Sequence, residues 1–231
     1  FPFEVSGRTH TSVTLKEERL DFQRRRRLGM VEVVWGEHKS SEQIARILKS
    51  LNTFGELALV TRVDSLKASE IAKAIPEVHF HAQASCLTFG EPADPRTGLG
   101  KVVILSGGTS DIHVASEAEL ALRWHGIHAE IILDVGIAGL HRLLSQLEKF
   151  QDAKVIIACA GMEGALPSVL AGLIPQPVIG VPVSVGYGVG VGGKAALFGM
   201  LTSCAPGLVV VNIDNGYGAA MAALRILKLG I

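Results

Sequence analysis

In the second half of the chain, apolar and polar positions repeat one pattern five times. Each repeat is a short run of apolar residues, many of them β-branched, followed by a turn rich in Gly or Ser and an amphipathic stretch with helical spacing. Helices of about ten to fifteen residues can cross between parallel strands, and unbroken apolar runs are typical of strands covered on both faces. The pattern therefore predicts an α/β fold with a doubly wound, mostly parallel sheet, built from residues 102–105, 130–133, 155–158, 178–181 and 208–213.

The first half predicts a smaller α/β unit. A charged stretch over residues 14–27 is predicted to be helical. Three apolar runs predict strands, at residues 31–35, 57–63 and 78–80. Two helices with apolar residues at three-to-four spacing separate these strands, the first capped by Ser40 or Ser41 and the second by Ser65.

A change in composition marks the boundary between the halves. Residues 1–100 hold 27 of the 44 charged residues but only 7 of the 26 glycines. The segment 90–100, GEPADPRTGLG, has the prolines and glycines of a solvated linker. We predict a small N-terminal α/β domain over residues 1–98 and a larger α/β domain over residues 99–231.

Composition excludes two classes of partner. Lys and Arg number 22, as do Asp and Glu, so the chain lacks the basic excess with which proteins bind nucleic acid without sequence preference. Residues 164–193 carry no charge and are long enough to span a membrane, but four prolines interrupt them and favour a buried sheet. We expect no nucleic acid and no membrane as partners.

The three cysteines, Cys86, Cys159 and Cys204, are widely spaced and odd in number. They form neither a disulfide framework nor a zinc pattern, which favours a reducing cytoplasm. No set of His, Cys and carboxylate residues has metal-ligand spacing, and the histidines of HFH, residues 79–81, are interpreted as structural. We predict no metal site built by the protein.

Turns rich in small residues follow the five predicted strands. In doubly wound sheets, ligands bind outside the carboxyl ends of the strands, where helix N-termini offer unpaired amides. Turn chemistry alone explains any one of these turns, but five in the same register favour a ligand site. The turns are residues 106–111, 134–142, 159–164, 181–188 and 212–218.

The first of these turns has the composition of a phosphate site. It supplies amides and hydroxyls ahead of a helix, and it is neither a Walker motif nor a GxGxxG fingerprint. A phosphate or phosphoribosyl group is the ligand that this composition favours. The residues are Ser106, Gly107, Gly108, Thr109, Ser110 and Asp111.

Charged residues are scarce in the last third of the chain, which makes two of them candidates. Glu163 follows a strand end, where partial burial would suit it to proton transfer; a helix N-terminal carboxylate is the equal alternative. Lys194 begins a helix, a position unfavourable for a cation unless an anion is nearby, so we interpret it as a ligand contact.

Basic residues also begin the helix after the second strand. His141 and Arg142 are candidates for a proton donor and an anion contact, with a solvated helix face as the equal alternative. The four arginines at residues 24–27 point around a helix axis, so a solvated or intersubunit face is the simplest interpretation.

Cys204 lies in LTSCAPG, just before the last predicted strand. A lone cysteine is more often a small buried hydrophobic residue than a nucleophile. Because Cys204 precedes its strand, we expect it at the opposite edge of the sheet from the strand-end turns. If Cys204 is catalytic, either its loop bends back or the site is shared between subunits.

Three of the turns resemble those of the aminoimidazole ribonucleotide carboxylase (PurE) family. SGGTSD resembles its phosphate-binding GSxSD loop, and the stretch ending at His141 and Arg142 resembles its SAHR segment. CAGMEGALPSVLAGLIPQPVIGVPV resembles its AGxAxHLPGxxAxxTxxPVIGVPV segment. The resemblance implies a PurE-like domain with flavodoxin-like layers and a nucleotide site that handles CO2.

Where the chain departs from that pattern, it resembles the LarB family, the pyridinium-3,5-biscarboxylic acid mononucleotide synthases of nickel-pincer cofactor biosynthesis. In the second half the resemblance rests on GMEGALPSV, SVGYG, LTSCAPG and VVNIDNGYGAA. In the first half it rests on D-x-x-R-x-x-R-x-G-x-x-E-V-x-x-G-x-x-K at residues 21–39 and on LALVTRV at residues 57–63.

The LarB resemblance implies a reaction. The substrate would be nicotinic acid adenine dinucleotide, with C5 of its pyridinium ring carboxylated by CO2 and its phosphoanhydride hydrolysed to release AMP. An electron-poor pyridinium does not attack CO2, but a nucleophile added at C4 makes C5 nucleophilic. Cys204 is the residue implied for this covalent adduct and Glu163 the base for the C5 proton, with substrate-associated Mg2+ expected at the phosphoanhydride.

The resemblance also implies the substrate contacts and the assembly. The first turn would hold the ribose phosphate, two residues of the fourth turn would line the ring or carboxylate pocket, and three basic residues of the first half would close over the pyrophosphate. A homo-oligomer with sites near subunit interfaces is expected. The contacts beyond the first turn are His141, Arg142, Gly161, Met162, Ser184, Tyr187, Arg24, Arg27 and Lys39.

Two other functions remain open. A carboxylase or mutase acting on an aminoimidazole ribonucleotide would need neither Cys204 nor the first 100 residues for catalysis. A non-catalytic dinucleotide-binding module would bind without turnover and would leave Cys204 an unreactive thiol.

Overall fold

A computed structural model describes residues 13–15, 18–92, 94 and 98–229. The chain divides into two compact units. Unit 1 comprises the described residues up to Phe80 together with Leu87–Glu91, and unit 2 comprises His81–Cys86 and the described residues from Pro92 onward. The last of these boundaries falls inside the predicted linker, whereas the assignment of His81–Cys86 to unit 2 has no counterpart in the sequence prediction.

The described residues up to Phe89 form a pair of short antiparallel strands, three α-helices and a four-stranded sheet. The elements are β1 (Val13–Leu15), β2 (Glu18–Leu20), α1 (Arg24–Leu28), β3 (Glu32–Trp35), α2 (Ser41–Thr53), β4 (Ala58–Thr61), α3 (Ser65–Ala74), β5 (His79–His81) and β6 (Cys86–Phe89). The sheet has the order β3-β4-β6-β5, with β3 parallel and β6 antiparallel to β4. The apolar face of α2 lies in the core, where Ile44, Leu48 and Leu51 are fully buried.

The two predicted helices of this region are confirmed, with one corrected cap. Ser40 caps α2, since its Oγ accepts from the Gln43 N–H at 3.2 Å while Gln43 Oε1 accepts from the Ser40 N–H at 2.9 Å. Asp64, not Ser65, caps α3, because its Oδ1 accepts from the Lys67 N–H at 2.8 Å. Ser65 is the first residue of the helix itself.

The helix predicted over residues 14–27 is confirmed only for its last four residues, which lie in α1, and is wrong for the part before them. There β1 and β2 pair antiparallel, and α1 ends at Leu28 with Gly29, at φ 65°, as its C-cap. α1 itself buries none of its five residues. The extended chain of β2 brings Leu20 into the core of unit 1.

Unit 2 confirms the predicted doubly wound sheet. Its elements are β7 (Lys101–Ser106), α4 (Ile112–Trp124), β8 (His128–Ile132), α5 (Leu140–Leu144), β9 (Ala153–Ala160), α6 (Ala165–Leu173), β10 (Val178–Pro182), α7 (Lys194–Leu201), β11 (Val209–Val210) and α8 (Gly216–Lys228). The strand order is β11-β10-β9-β7-β8, and all four neighbouring pairs of these strands are parallel. The uncharged stretch 164–193 forms α6, β10 and the loop before α7. It is therefore part of the sheet and its connections, as its four prolines predicted.

The strand order reverses between β7 and β9. The chain crosses from β7 to β8 in one direction and from β8 through β9 and β10 to β11 in the other. Right-handed crossovers then put α4 on one face of the sheet and α5, α6 and α7 on the other. The helix α8 packs against α4. Ligands of doubly wound proteins bind at such a reversal, outside the carboxyl ends of the strands.

Within the described ranges, no helix combines the length and the apolar character needed to cross a membrane.

Candidate active site

A cleft of about 380 Å³ opens at the carboxyl ends of β7 and β9, where the strand order reverses. The turns after β7, β8, β9 and β10 all contribute to its walls. Nine of the residues predicted from the sequence line it: Gly107, Gly108, Ser110, Asp111, Arg142, Gly161, Met162, Glu163 and Tyr187.

Asp111 holds the turn after β7 in shape. Its Oδ2 accepts a hydrogen bond from the Gly108 N–H at 2.8 Å. The side chain is only 5% exposed, and burial raises the pKa of Asp111, partly offset by the N–H groups of Gly108 and Gly107. Ser110 is exposed at the cleft, and Thr109 is exposed but lies outside its lining.

Ser106 ends β7 but is fully buried. Its Oγ accepts a hydrogen bond from the Asp134 N–H at 3.2 Å. Ser106 can therefore influence a ligand in the cleft only indirectly, through the residues that Ser106 positions. The predicted direct contact of Ser106 with phosphate does not fit this burial, because the hydroxyl faces the next turn of the sheet.

Asp134 and Arg142 form an ion pair at the turn after β8. Arg142 Nη1 donates to Asp134 Oδ2 at 2.6 Å, and Arg142 lines the cleft. Asp134 has φ 59°, the left-handed region that Asp tolerates better than most residues. His141 is exposed and lies outside the cleft lining. The sequence placed Asp134 in the second turn but carried no signal for this pair.

Glu163 lies in the tight turn between β9 and α6. Met162 and Gly164, on either side of it, have φ of 53° and 67°, and the Gly164 N–H donates to the Gly161 carbonyl at 2.9 Å. The predicted partial burial of Glu163 is wrong, since its side chain is exposed. The residue belongs to the turn rather than to the buried strand, and it directly precedes the N-cap of α6.

Asp214 fixes the turn after β10. Its Oδ1 accepts from the Ser184 N–H and its own N–H donates to the Pro182 carbonyl, both at 2.8 Å. Ser184 lies outside the cleft lining, whereas Tyr187, three residues further on, lines the cleft and is 76% exposed. The scarcity of charge in this region is the signal that could have found Asp214. Lys194 is exposed at the start of α7.

Burial and the charges of three carboxylates raise the pKa of the Cys159 thiol. Burial has the largest effect, followed by the charges of Asp111, Glu117 and Asp214. A thiol in these surroundings stays protonated, so Cys159 is structural.

Cys204 is an exposed free thiol in the loop between α7 and β11. Because β11 runs parallel to β10, with Val209 beside Ile179, this loop lies at the amino ends of the strands. Three residues from the end of α7 reach about 10 Å at most, and a five-residue strand is roughly 15 Å long. The loop therefore does not bend back to the cleft of its own chain.

The three basic residues expected over the pyrophosphate lie in unit 1. Arg27 pairs with Asp21 at 2.5 Å, and Arg24 approaches Glu32 at 3.6 Å. The hydrogen bond from Arg27 lowers the pKa of Asp21, whereas burial raises the pKa of Glu32. Lys39 is half-buried and directly precedes the N-cap of α2.

Among the residues that the structure describes, no three His, Cys, Asp or Glu side chains group to hold a metal ion. Three of the four carboxylates in the turns around the cleft are engaged by N–H donors, Asp111 by Gly108, Asp134 by Arg142 and Asp214 by Ser184, whereas Glu163 is exposed. These residues do not fit a magnesium site built by protein oxygens.

The fold and the cleft define a doubly wound α/β protein with an open cleft at the switch point of its sheet, where proteins of this class bind their ligands. The AIR carboxylase family matches residues 101–230, and the LarB/PurE-like N-terminal domain matches residues 13–91. The chain belongs to the AIR carboxylase family, a family of carboxylases and mutases, and carries a LarB/PurE-like N-terminal domain.

Some relatives match nearly the whole chain, and others match only about half of it. An uncharacterized protein of Methanocaldococcus jannaschii is 41% identical over 222 residues, which cover 92% of this chain and 86% of that one. The N5-carboxyaminoimidazole ribonucleotide mutase of the same organism is 37% identical over 133 residues, 55% of this chain and 79% of that one. The crystal structure of Treponema denticola PurE superposes with a TM-score of 0.48 at 23% identity, over 56% of this chain and 80% of that chain.

Proposed function

We propose that this protein carboxylates C5 of the pyridinium ring of nicotinic acid adenine dinucleotide and hydrolyses its phosphoanhydride. The products would be pyridinium-3,5-biscarboxylic acid mononucleotide and AMP, in the first step of nickel-pincer nucleotide cofactor biosynthesis. The observation that carries the proposal is the joint occurrence, in one chain, of a LarB/PurE-like N-terminal domain and an AIR carboxylase domain. An exposed cysteine in LTSCAPG adds the nucleophile that such a reaction requires.

The carboxylation needs covalent activation of the ring. The thiolate of Cys204 forms a bond to C4, and the ring electrons move to make C5 an enamine carbon. C5 then bonds to the carbon of CO2. Glu163 takes the proton from C5, and the electron pair of that C–H bond stays in the ring. The C4–S bond then breaks, its pair leaves with the thiolate, and the ring is again an aromatic pyridinium.

The hydrolysis needs water at the phosphoanhydride. One P–O bond forms to water and one breaks, which releases AMP from the mononucleotide. Magnesium carried by the substrate phosphates would offset the developing charge, since the turns around the cleft do not fit a magnesium site built by the protein.

The cleft residues suit the mononucleotide half of the substrate. The turn after β7, with Gly107, Gly108 and Ser110 at the cleft, suits the ribose phosphate. Arg142 supplies a cation for a ring carboxylate, and Tyr187 supplies an aromatic wall. Arg24, Arg27 and Lys39 remain proposed contacts of the pyrophosphate.

Catalysis by both Cys204 and Glu163 requires a second copy of the chain. The two residues belong to opposite ends of the sheet in one chain, so a neighbouring subunit would supply the thiol. The loop before α7 and α7 itself expose large apolar side chains that such a contact would cover: Tyr187, Val189, Val191, Phe198 and Leu201. The proposed active unit is therefore a homo-oligomer.

An aminoimidazole ribonucleotide carboxylase or mutase is the second candidate. The identity of 37% to a mutase, confined to about half of this chain, favours it. It differs from the first proposal in its need for Cys204, because an aminoimidazole carbon is nucleophilic without a covalent adduct.

The test is incubation of the full chain with nicotinic acid adenine dinucleotide, magnesium and carbon-13 bicarbonate, followed by mass spectrometry of small molecules and of intact protein. Parent, Cys204→Ala and Cys204→Ser are compared, with Thr202→Ala as an exposed control in the same loop. We expect labelled dicarboxylated mononucleotide and AMP from the parent and the control alone. Conversion of an aminoimidazole ribonucleotide instead, with Cys204→Ala fully active, would establish the second candidate.

A further inference from the structure

Unit 1 presents an exposed indole that is held in place. Trp35 ends β3 and is 53% exposed. Its Nε1–H donates to Glu37 Oε2 at 3.1 Å, and the His38 ring meets it edge-on with centroids 4.9 Å apart. Large aromatic side chains are buried for most of their surface in most proteins, so an indole that is held in place and half open to solvent is a candidate surface for stacking.

A guanidinium lies beside this indole. Arg62 follows Thr61, the residue that pairs with Trp35 across the parallel strands, and its Nη1 lies 3.7 Å from the same Glu37 carboxylate. Arg62 has φ 57°, a conformation that is costly for a residue with a side chain and that clusters at ligand sites. One carboxylate thus holds both an aromatic ring and a cation at the sheet edge.

The loop after β3 is built to stay next to Arg62. The Gly36 N–H donates to the Thr61 carbonyl at 2.9 Å, and a Cβ at Gly36 would lie 2.8 Å from Val63 Cγ2. Lys67 Nζ donates to the carbonyls of Gly36 and Glu37 at 2.9 and 3.0 Å. The loop continues through Lys39 to the N-terminus of α2, a helix of 13 residues. An aromatic platform, cations and a helix N-terminus therefore meet at the carboxyl ends of two parallel strands.

We propose that this cluster, Trp35, Arg62 and Lys39, is a binding site for an adenine nucleotide. The purine stacks on Trp35, and the phosphate is bound by Arg62 and Lys39 beside the N-terminus of α2. The inference rests on the proposed function, in which AMP is one half of the substrate and a product. It assigns to unit 1 the recognition of the half that is not carboxylated.

The experiment uses the fluorescence of Trp35 in the full chain. The sequence has two tryptophans, and Trp124 is 8% exposed with an indole N–H that has no partner in the described structure, so Trp124→Phe removes no hydrogen bond and leaves Trp35 as the reporter. We expect saturable quenching by AMP and at least about tenfold weaker binding of ribose 5-phosphate, which has no base to stack. By calorimetry, Trp35→Ala should weaken AMP binding about tenfold, the order of loss expected from removing a base-stacking aromatic.

Phe54→Ala is the matched control. Phe54 is also 53% exposed in unit 1, but its ring contacts Phe22 at 4.1 Å, so its removal should leave AMP binding unchanged. Two results would overturn the proposal: equal AMP affinity in parent and Trp35→Ala, or Trp35 emission that ignores AMP and changes with protein concentration, as a subunit contact would. AMP binding without conversion of the dinucleotide would reject the proposed function but keep this site, and conversion without an effect of Trp35→Ala would do the reverse.

Discussion

Arg142 Nη1 lies 2.6 Å from Asp134 Oδ2, in the turn that carries Arg142 to the cleft. The N–H of Asp134 is itself held by the buried hydroxyl of Ser106 at 3.2 Å. Ser106 is fully buried, so this chain of hydrogen bonds links the core of the sheet to a cation at the cleft. In the proposed site Asp134 and Ser106 would be positioning residues, because they would act through Arg142.

Asp134→Asn should weaken substrate binding more than turnover. Asn accepts the left-handed backbone conformation but lacks the charge that orients Arg142, so KM for the dinucleotide should rise about tenfold with kcat little changed. Both side chains are partly exposed, and the free energy of unfolding should change by less than about 1 kcal/mol. Steady-state kinetics and urea unfolding measure the two effects.

The control for this variant is Glu119→Gln. Glu119 pairs with Arg123 at 3.4 Å along α4, outside the cleft lining. It tests whether losing any comparable ion pair changes KM. An unchanged KM in Asp134→Asn would contradict the positioning role.

Mixed subunits should restore activity that neither parent variant has. Cys204→Ala and Glu163→Gln should each be inactive alone. If one site takes Cys204 from one subunit and Glu163 from another, random mixing in equal amounts makes roughly a quarter of the sites complete. The measurement is product formation after the two proteins are unfolded and refolded together. Activity that stays at the level of the separate variants would mean that the two residues do not share a site.

The free energy of unfolding should depend on pH through the titration of Asp111. Burial raises the pKa of Asp111 in the folded state above its ordinary value of 3.8, so the folded state binds its proton more tightly than the unfolded state. Its contribution is therefore fully present below pH 3.8 and is lost as the pH rises through the raised pKa. Asp111→Asn keeps an acceptor for the Gly108 N–H and removes this loss.

Urea unfolding of parent and Asp111→Asn between pH 4 and pH 7 tests the sign. The variant should gain stability relative to the parent as the pH rises from 4. The exposed Glu148→Gln serves as the control for the loss of one carboxylate elsewhere in unit 2. A relative gain that grows as the pH falls would contradict the assignment.

Gly136→Ala should disturb the turn after β7, residues 106–111, although Gly136 lies 29 residues after Gly107 in the chain. A Cβ at Gly136 would collide with the backbone carbonyl of Gly107, and this carbonyl cannot move without shifting the turn after β7. We expect a loss of about 1–3 kcal/mol in unfolding free energy together with weaker ligand binding. Gly172→Ala on α6 is the matched control, because a Cβ there meets nothing within 4 Å and should be neutral or slightly stabilising. Equal stability of the two variants would show that the turns are not in close contact.

Signals that act over a few residues made the larger part of the fold predictable. Five apolar runs with turns between them specify the parallel sheet, since strands covered on both faces need continuous apolar residues. Ser40 and Gln43 specify the start of α2 because a capping box spans four neighbouring residues. The same local logic brought the strand-end turns to one cleft, because carboxyl ends of parallel strands meet at one edge of the sheet.

The rest depends on contacts between residues far apart in the chain. Local pattern favoured a helix over residues 14–27, but packing of Leu20 into the core selected a hairpin. Thr88 interrupts the apolar run of β6, a strand that the pattern missed, and it is nevertheless 1% exposed because neighbouring elements cover it.

The sequence by itself therefore determined the class of fold, the positions of most elements and four of the turns that line the cleft, whereas the fifth predicted turn, residues 212–218, lies outside its lining. Only the tertiary structure decided that Ser106 is buried behind Asp134, that Asp214 holds Ser184, and that Cys204 lies at the far end of its own sheet. The physical reason is the distance along the chain over which each interaction acts. Periodicity and capping act within about one helical turn, whereas burial and ion pairing are set by which distant segments the packed core brings together.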